Sequence, residues 1–327
     1  MKAFNLFIKN LIHRNNLRFL LIGIAMAVVL ALVGLSVPNV YSFSNLQQVI
    51  VQTSYLALLA YGATLIMICG GIDLSLPALM ALAGCCCAYV MREFFGGGGH
   101  IVGILVCFAV AFLGSFVNGI SVSRFMMVPM IATLAMQLVA NGFVNLITLS
   151  RAIEVSSSFA NIGNIALGPI RISVIYLLVF TVGYHLLLSK TAFGRKLYAV
   201  GLNPSVAENC GISVQKIRMD AYLLSAPCIA FATIIALGRL KAASTTMAPD
   251  SMPLDVLMSA VLGGTSMSGG KGTIPGTLLG AFLLSLLNNV LTLQGVNFYM
   301  TLVIKGLFIL AITITSMLLS GERRRAK

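Results

Sequence analysis

The chain alternates long apolar runs with short polar or glycine-rich breaks. Ten runs read as candidate membrane segments: Leu17–Val37, Leu46–Cys69, Ser75–Val90, Ile101–Val122, Val128–Leu149, Ile172–Leu188, Ala221–Leu237, Leu254–Leu262, Ile274–Leu293 and Phe298–Leu319. Most are near the roughly 20 residues that a helix needs to cross a hydrocarbon core. The third, at 16 residues, and the eighth, at 9, are short and adjoin glycine- and proline-rich stretches. Such interrupted segments are where broken or re-entrant helices line a substrate path. The pattern predicts an all-α integral membrane protein of about ten transmembrane helices, with short or interrupted third and eighth segments.

Composition agrees. The sequence of 327 residues is 59% hydrophobic and only 9% charged, with a mean hydropathy of +1.00. A soluble domain carries roughly 25% charged residues and could not hide this much apolar surface. Leu17–Val37 exceeds the apolar core of a secretory signal, and no small-residue cleavage pattern follows it, so it reads as a retained first helix. The net charge of +13 sits in short clusters between apolar runs, which excludes a soluble basic domain for nucleic acid and encodes orientation instead. An even number of crossings puts both termini inside. The inside set is then Lys2, Lys9, Arg14, Arg18, Arg124, Lys190, Arg195, Lys196, Lys216, Arg218, Lys271, Arg323, Arg324, Arg325 and Lys327. The outside set is Arg92, Arg151, Arg171, Arg239 and Lys241. This bias predicts a multi-pass membrane protein with both termini cytoplasmic. It divides into an N-terminal tail (1–16), a membrane domain (17–319) and a basic C-terminal tail (320–327). Two connections are long, Ser150–Arg171 outside and Ser189–Met219 inside.

Chemistry is sparse. The seven cysteines include the run Cys85–Cys87 but no C-x-x-C with a matching second pair, so they read as small apolar helix residues and no metal site is expected. The break Gly263–Gly276 resembles a phosphate loop but fails its pattern. Thr265 stands where the first glycine belongs, Gly272 follows Lys271 where Ser or Thr is required, and no strand precedes it. Nucleotide binding by this chain is therefore not expected, nor any cofactor of its own. The other break, Gly70–Ser75, holds Asp73 between two apolar runs. A carboxylate there faces a cavity, a partner or the interface. Asp73 and Ser75 also suit a helix N-cap, with Pro77 in the first turn. The two breaks share G-G-[IT]-[DS]-[LM]-S, a hint of internal duplication.

Other polar residues stand inside apolar segments: Asn118, Thr133, Gln137, Asn141, Asn145, Asn288 and Asn289, with Lys305 in the last run. Each either lines a translocation path or bridges helices, and Lys305 either snorkels or faces the bundle interior. In the long inside connection, Asn203 is a good N-cap, Pro204 fits the first helical position and Gly211 is a natural stop, which predicts about two turns of helix. So short a helix is marginal in water alone and implies something to pack against.

At these residues the chain resembles the membrane subunits of ribose-type ATP-binding-cassette importers, within the wider permease family that includes branched-chain amino-acid permeases. Gly70–Ser75 resembles a G-G-I-D-L-S signature. Thr191–Ile212 resembles a T-x-F-G-R…A-x-G-x-N-x-x-A-A-x-x-x-G-I segment. Leu254–Gly280 resembles a run containing L-D and G-G-T-S-L-S-G-G-x-G, and Ile304–Gly306 a V-x-K-G element. The chain departs from the pattern at Pro77, Leu202 and Glu208, which bears on fine geometry. The resemblance implies an import permease for a monosaccharide or similar small polyol. It implies a second permease subunit, identical or related, and cytoplasmic ATPase subunits that bind ATP and Mg. It also implies a periplasmic sugar-binding protein. Gly194, Arg195, Gly201, Asn203, Ala207 and Gly211, with Pro204 and Glu208 in the same turn, would contact the ATPase. Asp73, Ser75, Asn118, Gln137, Asn141, Asn288, Asn289 and Lys305 are the path and gating candidates. The other readings are weaker. An ion- or proton-coupled carrier needs buried carboxylates or histidines, and only Asp73 stands out, since His13, His100 and His185 lie near segment ends. A membrane enzyme lacks H-E-x-x-H, paired intramembrane Asp and G-x-S-x-G.

Overall fold

The structure, a computed structural model, describes residues 34, 39–149, 151–168, 170–307 and 310. The first apolar run apart from Gly34, both tails and half of Phe298–Leu319 lie outside the described residues. Within them, seven helices are long and apolar enough to cross a membrane. They are α1 (Phe43–Ile68), α2 (Leu76–Phe95), α3 (His100–Ser123), α4 (Pro129–Thr148), α6 (Ile172–Lys190), α9 (Val214–Leu240) and α11 (Ile274–Leu293). Shorter helices are α5 (Ser157–Asn164), α7 (Ala192–Leu202), α8 (Pro204–Asn209), α10 (Met252–Leu262) and α12 (Phe298–Leu307). The predicted all-α membrane architecture holds, with seven spans among the described residues; the expected count of about ten includes a first and a last segment that lie wholly or partly outside them.

Two helices form the centre. The most apolar windows of α1 and α9 are 83% and 78% buried, against 22% for α4 and 28% for α3 and α6. Small residues explain the central position. Ala57, Ala60, Gly62 and Ala63 on α1, and Ser225, Ala226, Ala230 and Ala232 on α9, let two backbones approach closely where lipid offers no hydrophobic drive for association. The outer helices keep large apolar side chains exposed, including Leu105 and Leu113 on α3, Leu138 and Leu146 on α4, and Leu178 and Val179 on α6. These are lipid-facing positions. Phe231 of α9 locks the packing through ring contacts with Phe108, Tyr176 and Phe180, whose centroids lie 5.7, 5.3 and 4.8 Å away.

Several expectations need correction. The third segment is not short: α2 continues past Val90 to Phe95 and reaches 20 residues. Its last turn carries Arg92 and Glu93, an exposed ion pair at 2.7 Å, so the charges sit at the helix end and do not stop it. The connection Ser189–Met219 holds two helices, because α7 precedes the predicted α8. The seventh segment is longer than expected, since α9 begins at Val214 and takes in the last residues of the connection Ser189–Met219, and the connection Ser150–Arg171 is itself structured. Strands β1 (Ile153–Glu154), β2 (Ala166–Leu167) and β3 (Ile170–Arg171) flank α5, and β1 pairs antiparallel with β4 (Ala242–Ala243) beyond the end of α9. The eighth segment is short as expected. The 11 residues of α10 rise roughly 16 Å, about half a hydrocarbon core.

Candidate functional site

The two glycine-rich breaks meet at α7. Thr191 caps this helix, its hydroxyl accepting from the Gly194 N–H at 3.2 Å. The chain reverses tightly after α6, and a Cβ at Gly194 would run into the Leu188 carbonyl. One turn from its end, α7 lies between the breaks. The Ile68 carbonyl at the foot of α1 accepts from the Gly270 N–H at 2.8 Å. A Cβ at Gly201 would collide with that carbonyl and reach within 2.6 Å of the Gly270 nitrogen. Tyr198 donates its hydroxyl to the Gly272 carbonyl at 2.7 Å, and burial pushes its phenol pKa up. Movement of α7 therefore bears directly on the ends of α1 and α11.

Beyond it, Asn203 has extended backbone and accepts the Val206 N–H on Oδ1 at 3.1 Å, with Pro204 in the first turn of α8. Gly211, at φ 78°, turns the chain out of the helix, and the Ile212 N–H returns to the Ala207 carbonyl at 3.0 Å. The predicted contact residues thus divide. Gly194 and Ala207 are buried and fix the segment to the bundle, while Arg195, Asn203, Pro204, Glu208 and Gly211 are exposed. The exposed face also carries Leu202 and Val206, 69% and 56% accessible.

Asp73 is buried, and the structure makes it the organiser of its break. Its Oδ1 accepts from both the backbone N–H and the hydroxyl of Ser75, each at 2.7 Å, and Asn118 on α3 donates to Ser75 Oγ at 2.8 Å. Thr133 on α4 joins from the other side, donating to the Ile72 carbonyl and accepting the Leu74 N–H, both at 3.2 Å. Burial pushes the Asp73 carboxyl up to about 6, against the hydrogen bonds from Ser75 and Asn118 that favour its charged form. Asp73, Ser75 and Asn118 are thereby one stitched unit tying the break to α3.

Asn289 and Asn45 exchange two amide hydrogen bonds of 2.8 Å, joining α11 to α1. Gln137 and Asn141 lie half-buried on one stripe of α4, apart from the Asp73 unit. Asn145, next on that stripe, is exposed and turns back to the Asn141 carbonyl at 3.0 Å.

Away from α7 and α8, a cavity of about 550 Å³ opens between α1, α9, α10, α11 and α12. Lys305 faces this interior and does not snorkel. Its Nζ donates to Asp255 Oδ2 at 2.8 Å, and Asn288 lines the same cavity. Arg239, lining the same cavity, donates to Tyr55 Oη at 2.9 Å. The sequence pointed to Asn288 and Lys305 but not to Asp255 or Arg239. A lone carboxylate in the shortest apolar segment was the available signal for Asp255. Among the described residues, no three His, Cys, Asp or Glu side chains come together as a metal site would require.

Residues 45–313 match the model of a family described as branched-chain amino acid transport system / permease component. The ribose import permease protein of Escherichia coli (strain K12) is 36% identical over 299 residues, covering 88% of this chain and 90% of that protein. The ribose import permease protein of Bacillus subtilis (strain 168) is 34% identical over 276 residues, covering 84% of each. The galactofuranose transporter permease protein of Escherichia coli (strain K12) is 32% identical over 281 residues, covering 83% of this chain and 80% of that one. No solved structure matches. With its lipid-facing outer helices and a match running through nearly every described element, the chain belongs to the branched-chain amino acid transport system permease family.

Proposed function

We propose that this chain is the membrane subunit of an ATP-binding-cassette importer that carries a monosaccharide or similar small polyol across the bacterial inner membrane. The observation that carries the reading is the 36% identity to a ribose import permease over 88% of the chain. The join between α7 and both glycine breaks supports a coupling role for residues 189–219. In this reading both termini and α7–α8 face the cytoplasm, and an ATPase subunit docks on the exposed face of α8. Closure of two such subunits on ATP, held with Mg, pushes α7 against Ile68 and Gly270. That displacement tips α1 and α11 and switches the path between its inward and outward states, a two-state element biased from a distant site. A second permease subunit, identical or related, completes the path, and a periplasmic binding protein delivers the sugar. The unit built on Asp73, Ser75 and Asn118 holds one hinge of this movement, and Gln137 and Asn141 face the path.

The test is ATP hydrolysis by the assembled complex in lipid. The reading expects hydrolysis to rise when sugar-loaded binding protein is added. Sugar uptake that ignores ATP depletion but collapses with an uncoupler would replace it with an ion-coupled carrier.

A further inference from the structure

The cavity between α1, α9, α10, α11 and α12 is built for a ligand rich in hydroxyl groups. Its volume of about 550 Å³ lies within the roughly 300–1,000 Å³ of small-ligand sites. Its wall is more polar than a membrane helix bundle needs. Asp255 and Lys305 are both 8% exposed and 2.8 Å apart, a pair whose desolvation is costly and which adds little to stability over an apolar packing of the same volume. Arg239 adds a second cation. Among the described residues no carboxylate pairs with it, and it rests on the Tyr55 hydroxyl at 2.9 Å and over the Tyr55 ring, 5.7 Å from its centroid. Most of its fork of N–H donors is therefore free for another oxygen. Asn288 and Thr292, one turn apart on α11, line the same wall.

The geometry points to this cavity as a binding station for a neutral monosaccharide, held by Arg239, Asp255, Asn288 and Lys305 against the face of Tyr55. The inference rests on the import reading above and assigns that reading a site. Each sugar hydroxyl both donates and accepts. It can donate a hydrogen bond to Asp255 or the Asn288 carbonyl while accepting one from Arg239 or Lys305. An apolar ligand would leave these groups unanswered at a cost, and an anion would meet the Asp255 carboxylate. In the orientation proposed above, the station opens toward the outer half of the bundle, where sugar arrives from its carrier.

The test uses the full chain carrying Thr292→Cys, assembled with its ATPase in vesicles, with the sugar-binding protein added on the outer side. A membrane-impermeant thiol reagent is applied from the outer side, with the unaltered chain giving the background of the native cysteines. Ribose, with galactose as a second arm, should slow labelling about tenfold at about nine-tenths occupancy. Adding Arg239→Gln or Asn288→Ala should abolish that protection while leaving the unprotected labelling rate as it was, which reports an intact cavity. Labelling indifferent to both sugars, in vesicles that take them up with ATP, overturns the station and leaves the importer standing. Vesicles that take up neither of these sugars nor any other monosaccharide of an uptake panel overturn the importer reading, and the station with it.

Discussion

Lys305 Nζ lies 2.8 Å from Asp255 Oδ2 across fifty residues of sequence, with each side chain only 11% exposed. The contact ties α12 to the half-length α10. Lys305→Met would leave a buried carboxylate without its partner, a loss of about 3–5 kcal/mol. The paired change Asp255→Asn with Lys305→Met removes both charges and should recover most of that loss. Thermal unfolding of the full chain in detergent checks both. Equal destabilisation in the single and paired variants would deny the coupling.

Gly201→Ala places a methyl against the Ile68 carbonyl and the Gly270 nitrogen. Both obstacles are backbone and cannot turn aside, so α7 must lift from the two breaks. The expected cost is about 1–3 kcal/mol of stability, with loss of the rise in ATP hydrolysis that loaded binding protein brings. Assay of stimulated against basal hydrolysis separates the two effects.

Asn203→Ala removes the side chain that accepts the Val206 N–H at 3.1 Å. The local cost is about 1 kcal/mol, and Asn203→Asp should restore it. Hydrogen exchange at residues 204–209 reads this directly, with roughly fivefold faster exchange expected in the alanine variant alone.

Asn289→Ala breaks the two-way amide bridge with Asn45. Interhelical hydrogen bonds in membranes contribute about 0.6 kcal/mol on average and up to about 1.7, so a small stability loss with sugar selectivity unchanged is expected. A changed ranking of sugars in an uptake panel would return Asn289 to the path.

Much of this was legible because the signals were local. The apolar runs gave α1, α3, α4, α6 and α11 nearly to their ends and α9 without its first two turns, which carry Lys216, Arg218 and Asp220, and Asn203 followed by Pro204 announced α8. Other features escaped because they depend on distant partners. The segment A-F-G-R-K-L-Y-A-V-G-L reads as a loop, with two glycines and little apolar length, yet it is α7, since both glycines lie where other backbones come close. The third run ends at Val90, yet α2 continues through Arg92 and Glu93, which answer each other at an exposed helix end. Asn288 and Asn289 are indistinguishable by type. About 100° of helical rotation between them sends one to the cavity and the other to Asn45. Asp255 and Arg239 acquired meaning only once α10 and α9 brought them around one space.

The most direct measurement is uptake of radiolabelled ribose and galactose into vesicles holding this chain, its ATPase and its binding protein. Uptake of at least one sugar that requires hydrolysable ATP on the α7–α8 side, and stops with a non-hydrolysable analogue, is the expected result. Uptake that proceeds without the ATPase, or ATP that acts only from the opposite side, would contradict it.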